Sequence, residues 1–363
     1  MKIDRVEIIN FKSLRCVELN LKNLTLLTGV NSSGKSSFIQ CLLLIKQNLR
    51  MLLFYDNLSK RTLNINGEYV KLGNKKDILY QEVYAEDIKI TIKGNKNEFY
   101  ISFNKNNLLT TNYDIGTSFN LEYNFQYIQT DRIAPEIFYD LSEESINNDN
   151  IGMKGEYTAH YLAEKRHQLL HIEALKHPNS VTNQLLENTS LWLGEISSGV
   201  EISTRVYNEL QKVNLTYKYI YKGNTTGDYT PLNVGFGLTY VLPVIVAILK
   251  SKPDDLLIIE NPESHLHPAG QSKIAELCAI ASANGVQIII ETHSDHFLNG
   301  IRVATKKEIL EPTDTSIYYF RKDKDELETK IDTINLDKYG NIDNYPKGFF
   351  DEWDNKLDEL LGL

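Results

Sequence analysis

The run Gly29-Val-Asn-Ser-Ser-Gly34-Lys35-Ser36 limits what this chain can fold into more than any other feature. Its spacing, G-x-x-x-x-G-K-S, is that of a loop closing over phosphates, and both flanks agree with it. Before it, Leu24-Thr-Leu-Leu-Thr28 reads as a buried strand; after it, Ser37-Phe-Ile-Gln-Cys-Leu-Leu-Leu-Ile45 reads as a helix packed on that strand. A strand–loop–helix unit aims several backbone N–H groups and the positive end of a helix at one point, which suits a polyphosphate. The glycines allow the tight turn, Lys35 reaches the β- and γ-phosphates, and the Ser36 hydroxyl ligates Mg²⁺. A chance Gly/Ser-rich turn would lack the strand and helix in register. The sequence therefore predicts a nucleoside triphosphate site.

At 363 residues the chain can bury a large core, as one elaborate domain or two simple ones. Its 42% hydrophobic and 24% charged residues are those of an ordinary globular protein. Lys and Arg number 39 against 48 Asp and Glu, so the net charge of −9 repels nucleic acid unless a local basic patch forms. The widely spaced Cys16, Cys41 and Cys278 argue for reduced thiols in a cytoplasmic protein, not a disulfide framework. A charged N-terminus without a signal-peptide pattern, and a longest apolar run of only Val241 to Leu249, predict no membrane association.

Ile3 to Asn10 and Val17 to Leu21 pattern as short strands leading into the loop, and helical character continues through Leu43 to Leu58. Ile88–Ile92, Phe99–Phe103 and Phe119–Phe125 alternate with period two around turns at Gly94-Asn95 and Asn106-Asn107, an antiparallel meander. Ser142 to Val213 reads as mostly helical and polar, with no run long enough for a coiled coil, and Val213 to Lys222 as another strand. Further on, Leu256-Leu-Ile-Ile259 ends in Glu260-Asn261-Pro262-Glu263, a buried strand terminating in carboxylates, where an acid can hold Mg²⁺ directly or through water. A helix from Ala269 to Ala283 and a second strand, Val286 to Glu291, complete a parallel crossover that ends in Thr292-His293-Ser294-Asp295.

Together these residues resemble the ABC-type ATPase head of the RecF, SMC and OLD (overcoming lysogenization defect) proteins over most of the chain. The resemblance is carried by Ile8-Ile-Asn-Phe-Lys-Ser-Leu14, Gly29–Ser37, Ile258-Ile-Glu-Asn-Pro-Glu-Ser-His-Leu-His-Pro268 and Glu291-Thr-His-Ser-Asp295. It implies ATP and Mg²⁺ as ligands. The loop residues Gly29, Asn31, Ser32, Ser33, Gly34, Lys35, Ser36 and Ser37 would hold the nucleotide, Ser36 and Glu260 the metal. His293 would be the switch histidine that senses the γ-phosphate. Val234-Gly-Phe-Gly-Leu-Thr-Tyr-Val-Leu-Pro243 stands in the place of the ABC signature without its usual Leu-Ser-Gly-Gly-Gln wording. Gly235 and Gly237 can still present N–H groups to ATP on an opposite protomer. The residue after the metal-holding acid is normally a water-activating glutamate; here Asn261 can orient a water but cannot take its proton. Glu263 is the nearest substitute and His293 the second, so slow hydrolysis is expected.

A narrower likeness is to stand-alone prokaryotic ATPases that read Glu-Asn-Pro-Glu and Asn-Gly-Ile-Arg and end in a small domain of unknown function. This chain shows Asn299–Arg302, Tyr345–Asp351, Thr130–Pro135 and Lys154–Tyr157. Many such relatives sit in anti-phage defence loci beside a nuclease, so the resemblance implies a defence setting.

The expected fold is α/β. A mixed central sheet carries the phosphate loop and the Glu260 strand, with an antiparallel side sheet and a helical arm. The N-terminal part of the head spans 1–130, the helical insertion 131–231, the C-terminal part 232–310 and a small element 311–363. The expected partners are a second copy of the chain, sandwiching ATP, and a separately encoded nuclease or toxin; the alternative is a RecF-like repair ATPase that binds DNA itself. OLD-type nucleases continue into a Toprim domain, and the stretch after His293 is too short for one, so the chain is not expected to cut nucleic acid.

Several residues admit two readings. His265, His267, His293 and His296 could form a metal cluster, but a helix-launching turn plus one nucleotide-sensing histidine explains them better. Glu164-Lys-Arg-His167 with Lys176 and His177 reads as a solvated helix face before a weak DNA patch. Arg132 could reach ATP phosphates or a dimer partner, or pair with Asp131. Gln81 reads as a surface residue before a metal contact. The closing amphipathic helix, with Trp353, Leu357, Leu360 and Leu361 at helical spacing, reads as a cap on its own core before a partner-docking element.

Overall fold

The structure is a computed structural model that describes residues 2–54, 62–81, 87–94, 97–104, 106–115, 125–322 and 328–362. Residues 119–124 of the expected strand Phe119–Phe125, the helical stretch beyond Phe54 and the turn residue Asn95 lie outside these residues. Along the chain run β1 (Arg5–Phe11), β2 (Leu14–Asn20), β3 (Leu24–Gly29), α1 (Lys35–Phe54), β4 (Ile88–Gly94), β5 (Asn97–Phe103) and β6 (Thr110–Ile115). Then come β7 (Phe125–Ile128), β8 (Phe138–Asp140), α2 (Glu143–Asn147), α3 (Thr158–Glu164), α4 (Leu185–Gly194), β9 (Val200–Tyr207), β10 (Lys212–Tyr221) and β11 (Asn224–Thr225). They are followed by α5 (Phe236–Leu249), β12 (Leu256–Glu260), α6 (Pro268–Ala283), β13 (Gln287–Glu291), α7 (Asp295–Lys306), β14 (Thr315–Lys322), β15 (Thr329–Ile334) and α8 (Glu352–Leu361).

The chain divides into two units, residues 1–125, 315–337 and 342–363 in the first and 126–314 with 338–341 in the second. In the first unit, β2, β1, β4, β5 and β6 form an antiparallel sheet in that order. Ile88, Ile90 and Ile92 of β4, paired with Phe103, Ile101 and Phe99 of β5, are all fully buried. This is the meander that period-two alternation predicts. A second, mixed sheet pairs β3 with β14 in parallel, Leu24 opposite Thr315 through Gly29 opposite Phe320, and β14 with β15 antiparallel. Leu24, Leu26 and Leu27 are buried, and α1 closes over this sheet with Phe38 edge-on to Phe320 at 6.5 Å.

In the second unit, β12 and β13 run parallel with Leu256 opposite Gln287 and Glu260 opposite Glu291, so both strands deliver a carboxylate at the same end. The apolar cores of both strands are buried, as a strand covered on both faces requires. Helix α5 buries almost every residue from Leu238 to Leu249. A separate antiparallel sheet pairs β10 with β8, β9 and β11.

Two expectations change. The stretch 142–213 contains α2, α3 and α4, yet its last part is the strand β9 where helix was expected. Val200, Ile202 and Thr204 are buried while Glu201, Ser203 and Arg205 are exposed, a period of two that the surrounding polarity obscures. The closing helix α8 also does not cap its own core. Trp353 is 76% and Leu360 83% exposed, while the nearby Phe349 is buried, packed edge-on to Tyr319 at 5.5 Å. Among the described residues, no helix is long and apolar enough to cross a membrane.

Candidate functional site

The phosphate loop lies wholly in the first unit. Gly29 ends β3 at φ 132°, and a Cβ there would stand 2.0 Å from the carbonyl oxygen of Phe320, so only glycine fits. Ser32 follows in the left-handed region at φ 60°, as a loop wrapped around a small anion requires. Lys35 opens α1, is buried, and turns back over the loop to donate from Nζ to the carbonyl oxygens of Gly29 and Val30, both at 2.9 Å. Gly34 sits behind it, its carbonyl accepting the Phe38 N–H at 3.0 Å in the first turn of the helix. Thr329 of β15 anchors the loop from behind, donating its hydroxyl to the Ser33 carbonyl oxygen at 2.8 Å. Asn31, Ser32 and Ser36 are exposed, Ser37 is half-buried, and the buried Ser33 Oγ has no hydrogen-bond partner among the described residues. A curled loop with an orphaned hydroxyl, a buried ammonium and a helix start fits a triphosphate. Gln81, in the same unit, is an exposed residue.

The acidic turn lies wholly in the second unit, at the end of β12. Glu260 is held from two sides. Its Oε1 accepts from Tyr127 Oη at 3.0 Å, and its Oε2 accepts from the Thr130 hydroxyl at 3.0 Å and the Thr130 N–H at 3.3 Å. Burial first, and then the neighbouring Glu260 charge, push the Tyr127 phenol well above its ordinary pKa, so Tyr127 stays a donor. Such clamping fixes the direction of the carboxylate, as a metal ligand's surroundings must.

Asn261 follows in the left-handed region at φ 44°, a conformation that Asn tolerates better than most residues. Its N–H donates to the Glu291 carbonyl oxygen at 2.7 Å, and its Nδ2 donates to Thr130 Oγ1 at 3.0 Å. Glu263 is buried, with Oε1 accepting the backbone N–H of His293 at 2.8 Å. Burial raises the Glu263 pKa, against the pull of the His293 N–H and the charge of Arg132. The His293 side chain is exposed.

Of the three fates open to Arg132, the structure excludes one. Asp131 pairs instead with Lys154 at 2.6 Å. The Arg132 guanidinium is buried, and its Nη2 donates to the carbonyl oxygens of Glu260 at 2.5 Å and Asn261 at 3.0 Å. Burial draws its pKa down to about 10, still far above neutrality, so the cation persists. Tyr127, Thr130 and Tyr240 were not singled out from the sequence. Thr130 stands in a segment noted only for its likeness and Tyr240 in the signature-like segment, where the two glycines drew the reading; nothing in the sequence marks Tyr127.

Gly235 caps the start of α5, and Gly237 lies in its first turn, where a Cβ would come within 2.5 Å of the His265 carbonyl oxygen. The remaining histidines have structural work. His265 packs edge-on to Phe236 at 4.8 Å and Tyr240 at 4.9 Å, and His267 caps α6 by accepting the Ala269 N–H at 3.3 Å. His296 lies 3.7 Å from Asp295. The basic run at 164–167 also turns partly inward. Arg166 donates to the Ala163 and Thr204 carbonyl oxygens, and buried His177 meets Glu195 at 3.3 Å.

Three known families match parts of the chain. A family model described as an AAA ATPase domain matches residues 1–192. A second, described as an AAA domain, putative AbiEii toxin, type IV TA system, matches residues 128–299, and a protein family of unknown function matches 310–360. No curated protein matches the chain. Among solved structures it is similar to an Smc head bound to the C-winged helix domain of ScpA, at 14% identity and a TM-score of 0.58, covering 93% of this chain and 99% of that one. It is also similar to an Smc head domain with an extended coiled coil bound to the C-terminal domain of ScpA from Pyrococcus furiosus. There identity is 14% and the TM-score 0.53, with 99% of each chain covered. At this identity the likeness shows the fold, an α/β head with a mixed sheet, an antiparallel sheet and helices.

Proposed function

The chain belongs to the AAA ATPase domain family, and from that premise we propose that it is an ATP-driven switch of an anti-phage defence system. As an ATPase of AAA and SMC-head type it binds and hydrolyses ATP. In the proposed cycle two copies associate around ATP and control a separately encoded nuclease or toxin. The observation that carries the reading is the buried Lys35 ammonium turned back over its own loop, poised for phosphates. The family model whose description names a putative AbiEii toxin supports the defence setting.

Each half of the machinery has its role. The loop's N–H groups and Lys35 would hold the phosphates, and Ser36 and Glu260 are the residues that would serve Mg²⁺. The metal, when bound, supplies charge neutralisation for the leaving phosphates. Asn261 would orient the attacking water without taking its proton. Glu263 suits a positioning role better than a base, because one carboxylate oxygen is taken by the His293 N–H and the group is buried. It would set His293 where a γ-phosphate can be sensed. Gly235 and Gly237 would present the start of α5 to the nucleotide held by the second copy.

Arg166 and His177 spend their bonds on the protein's own groups, which takes two members from the candidate basic face around 164–167 and 176–177 and favours the switch over a repair clamp. The test is expression from the native operon and purification. Wild-type protein should hydrolyse ATP slowly, Lys35→Ala not at all, and the product of an adjacent gene should co-purify. Tight ATP-dependent DNA binding at physiological salt, with no protein partner, would replace this reading with repair.

A further inference from the structure

One turn into α5, Tyr240 connects the helix start to the acidic turn. Its Oη donates to the Thr130 carbonyl oxygen at 2.8 Å and accepts the Arg132 N–H at 3.2 Å, while its ring lies 5.1 Å from the Arg132 guanidinium. Thr130 passes the connection on, its hydroxyl bonded to Glu260 Oε2 and to Asn261 Nδ2, both at 3.0 Å. Arg132 reaches the same turn independently through the carbonyl oxygens of Glu260 and Asn261. Its Nε and Nη1 are buried without partners among the described residues, an arrangement that costs stability. A buried cation spending its bonds on two carbonyl oxygens of one turn constrains the backbone there, and a turn held at φ 44° is one that needs constraint.

We infer that Tyr240 and Arg132 are positioning residues for the ATPase reaction, carrying the placement of the Gly235–Gly237 helix start to the Glu260 carboxylate. The inference rests on the proposed reading of that helix start as the surface meeting the second copy's nucleotide. It adds that the two nucleotide sites of a pair are coupled: engagement of α5 in one site sets the metal acid serving the other. The coupling element is short, with one phenol, one threonine and one guanidinium between the helix start and the carboxylate.

Tyr240→Phe tests this with least disturbance, since it removes only the phenolic oxygen and keeps the ring beside Arg132 and His265. Arg132→Lys is the companion, keeping the charge while losing the planar fork that holds two carbonyl oxygens. The probe is Mn²⁺, which takes oxygen ligands as Mg²⁺ does, titrated by electron paramagnetic resonance with a non-hydrolysable ATP analogue. Both variants should bind a fluorescent ATP analogue within about twofold of wild type. Their Mn²⁺ affinity and kcat should fall by about tenfold or more, the usual consequence of losing a group that orients a metal ligand. Tyr240→Phe should also melt close to wild type. Wild-type Mn²⁺ affinity and kcat in Tyr240→Phe would overturn the inference, even if its melting temperature dropped, and would leave the functional reading standing. If Arg132→Lys does not fold, Tyr240→Phe decides alone. If wild type shows no Lys35-dependent binding of Mn²⁺ and nucleotide, the functional reading falls and this inference with it.

Discussion

The carboxylate of Glu263 accepts the backbone N–H of His293 at 2.8 Å, linking the turn after β12 to the turn after β13. Neighbouring parallel strands bring the two turns to one end of the sheet, and this bond fixes the second relative to the first. Glu263 is buried, so the bond is shielded from water and its charge is poorly solvated.

That burial gives a pH signature. The Glu263 pKa lies above its ordinary 4.5 in the folded chain. As pH rises, the unfolded chain therefore loses this proton first, and in the window between the two pKa values the folded state binds more protons. Stability from this group is complete below the ordinary value and declines as pH rises through the raised one. Glu263→Gln keeps an oxygen for the His293 N–H and cannot ionise. Melting temperatures of the two proteins, compared from pH 4.5 upward, should diverge in favour of Gln. Parallel profiles would mean that Glu263 is not the buried acid described.

Asn261→Glu should raise turnover. Restoring a proton acceptor beside the metal-holding acid is worth about 10²–10⁴-fold when geometry permits. The left-handed backbone at this position should cost the variant about 1–2 kcal/mol of stability. Steady-state phosphate release measures the first effect and a denaturant titration the second. An unchanged rate in a folded variant would place the water elsewhere.

The glycines at the start of α5 should separate fold from function. Gly237→Ala forces a methyl against the His265 carbonyl oxygen, and overpacking of this kind costs about 1–3 kcal/mol, a loss of several degrees in Tm. At Gly235 a methyl meets nothing within 4 Å. Gly235→Ala should melt with wild type yet associate less well with ATP, because the methyl stands where the phosphate must approach. Full ATP-dependent association in Gly235→Ala would remove this segment from the interface.

Much of the fold was legible because short-range patterns decide it. The loop spacing around Lys35, the apolar strand ending at Glu260 and the alternation of Ile88, Ile90 and Ile92 each name their own structure. What escaped was long-range. Nothing near Tyr127 or Tyr240 in sequence announces a bond to Glu260 or Thr130, which lie 133 and 110 positions away. Arg132 stands out in the sequence because Asp131-Arg-Ile-Ala-Pro135 reads as an ordered turn before a helix, but that it serves two backbone carbonyl oxygens depends on tertiary packing. The strand β9 was hidden in a polar stretch whose alternation shows once one face is known to be covered. Likewise, the apolar spacing of Trp353, Leu357 and Leu360 predicts an amphipathic helix and says nothing about what covers it.

Duplex DNA should bind weakly. A chain of net charge −9 whose one candidate basic run is partly spent on internal bonds can offer few phosphate contacts. Affinity measured by fluorescence anisotropy should collapse between about 50 and 200 mM salt. Retention of tight binding at the higher salt would point to an interface of a different kind.

The central claim is that ATP joins two copies through Lys35 of one and the Gly235–Gly237 segment of the other. Light scattering on purified protein, with and without ATP, tests it most directly. Wild type should double its mass on addition of ATP and Mg²⁺, and Lys35→Ala should stay at the mass of one chain under both conditions. Equal mass with and without bound nucleotide in the wild type would contradict the account.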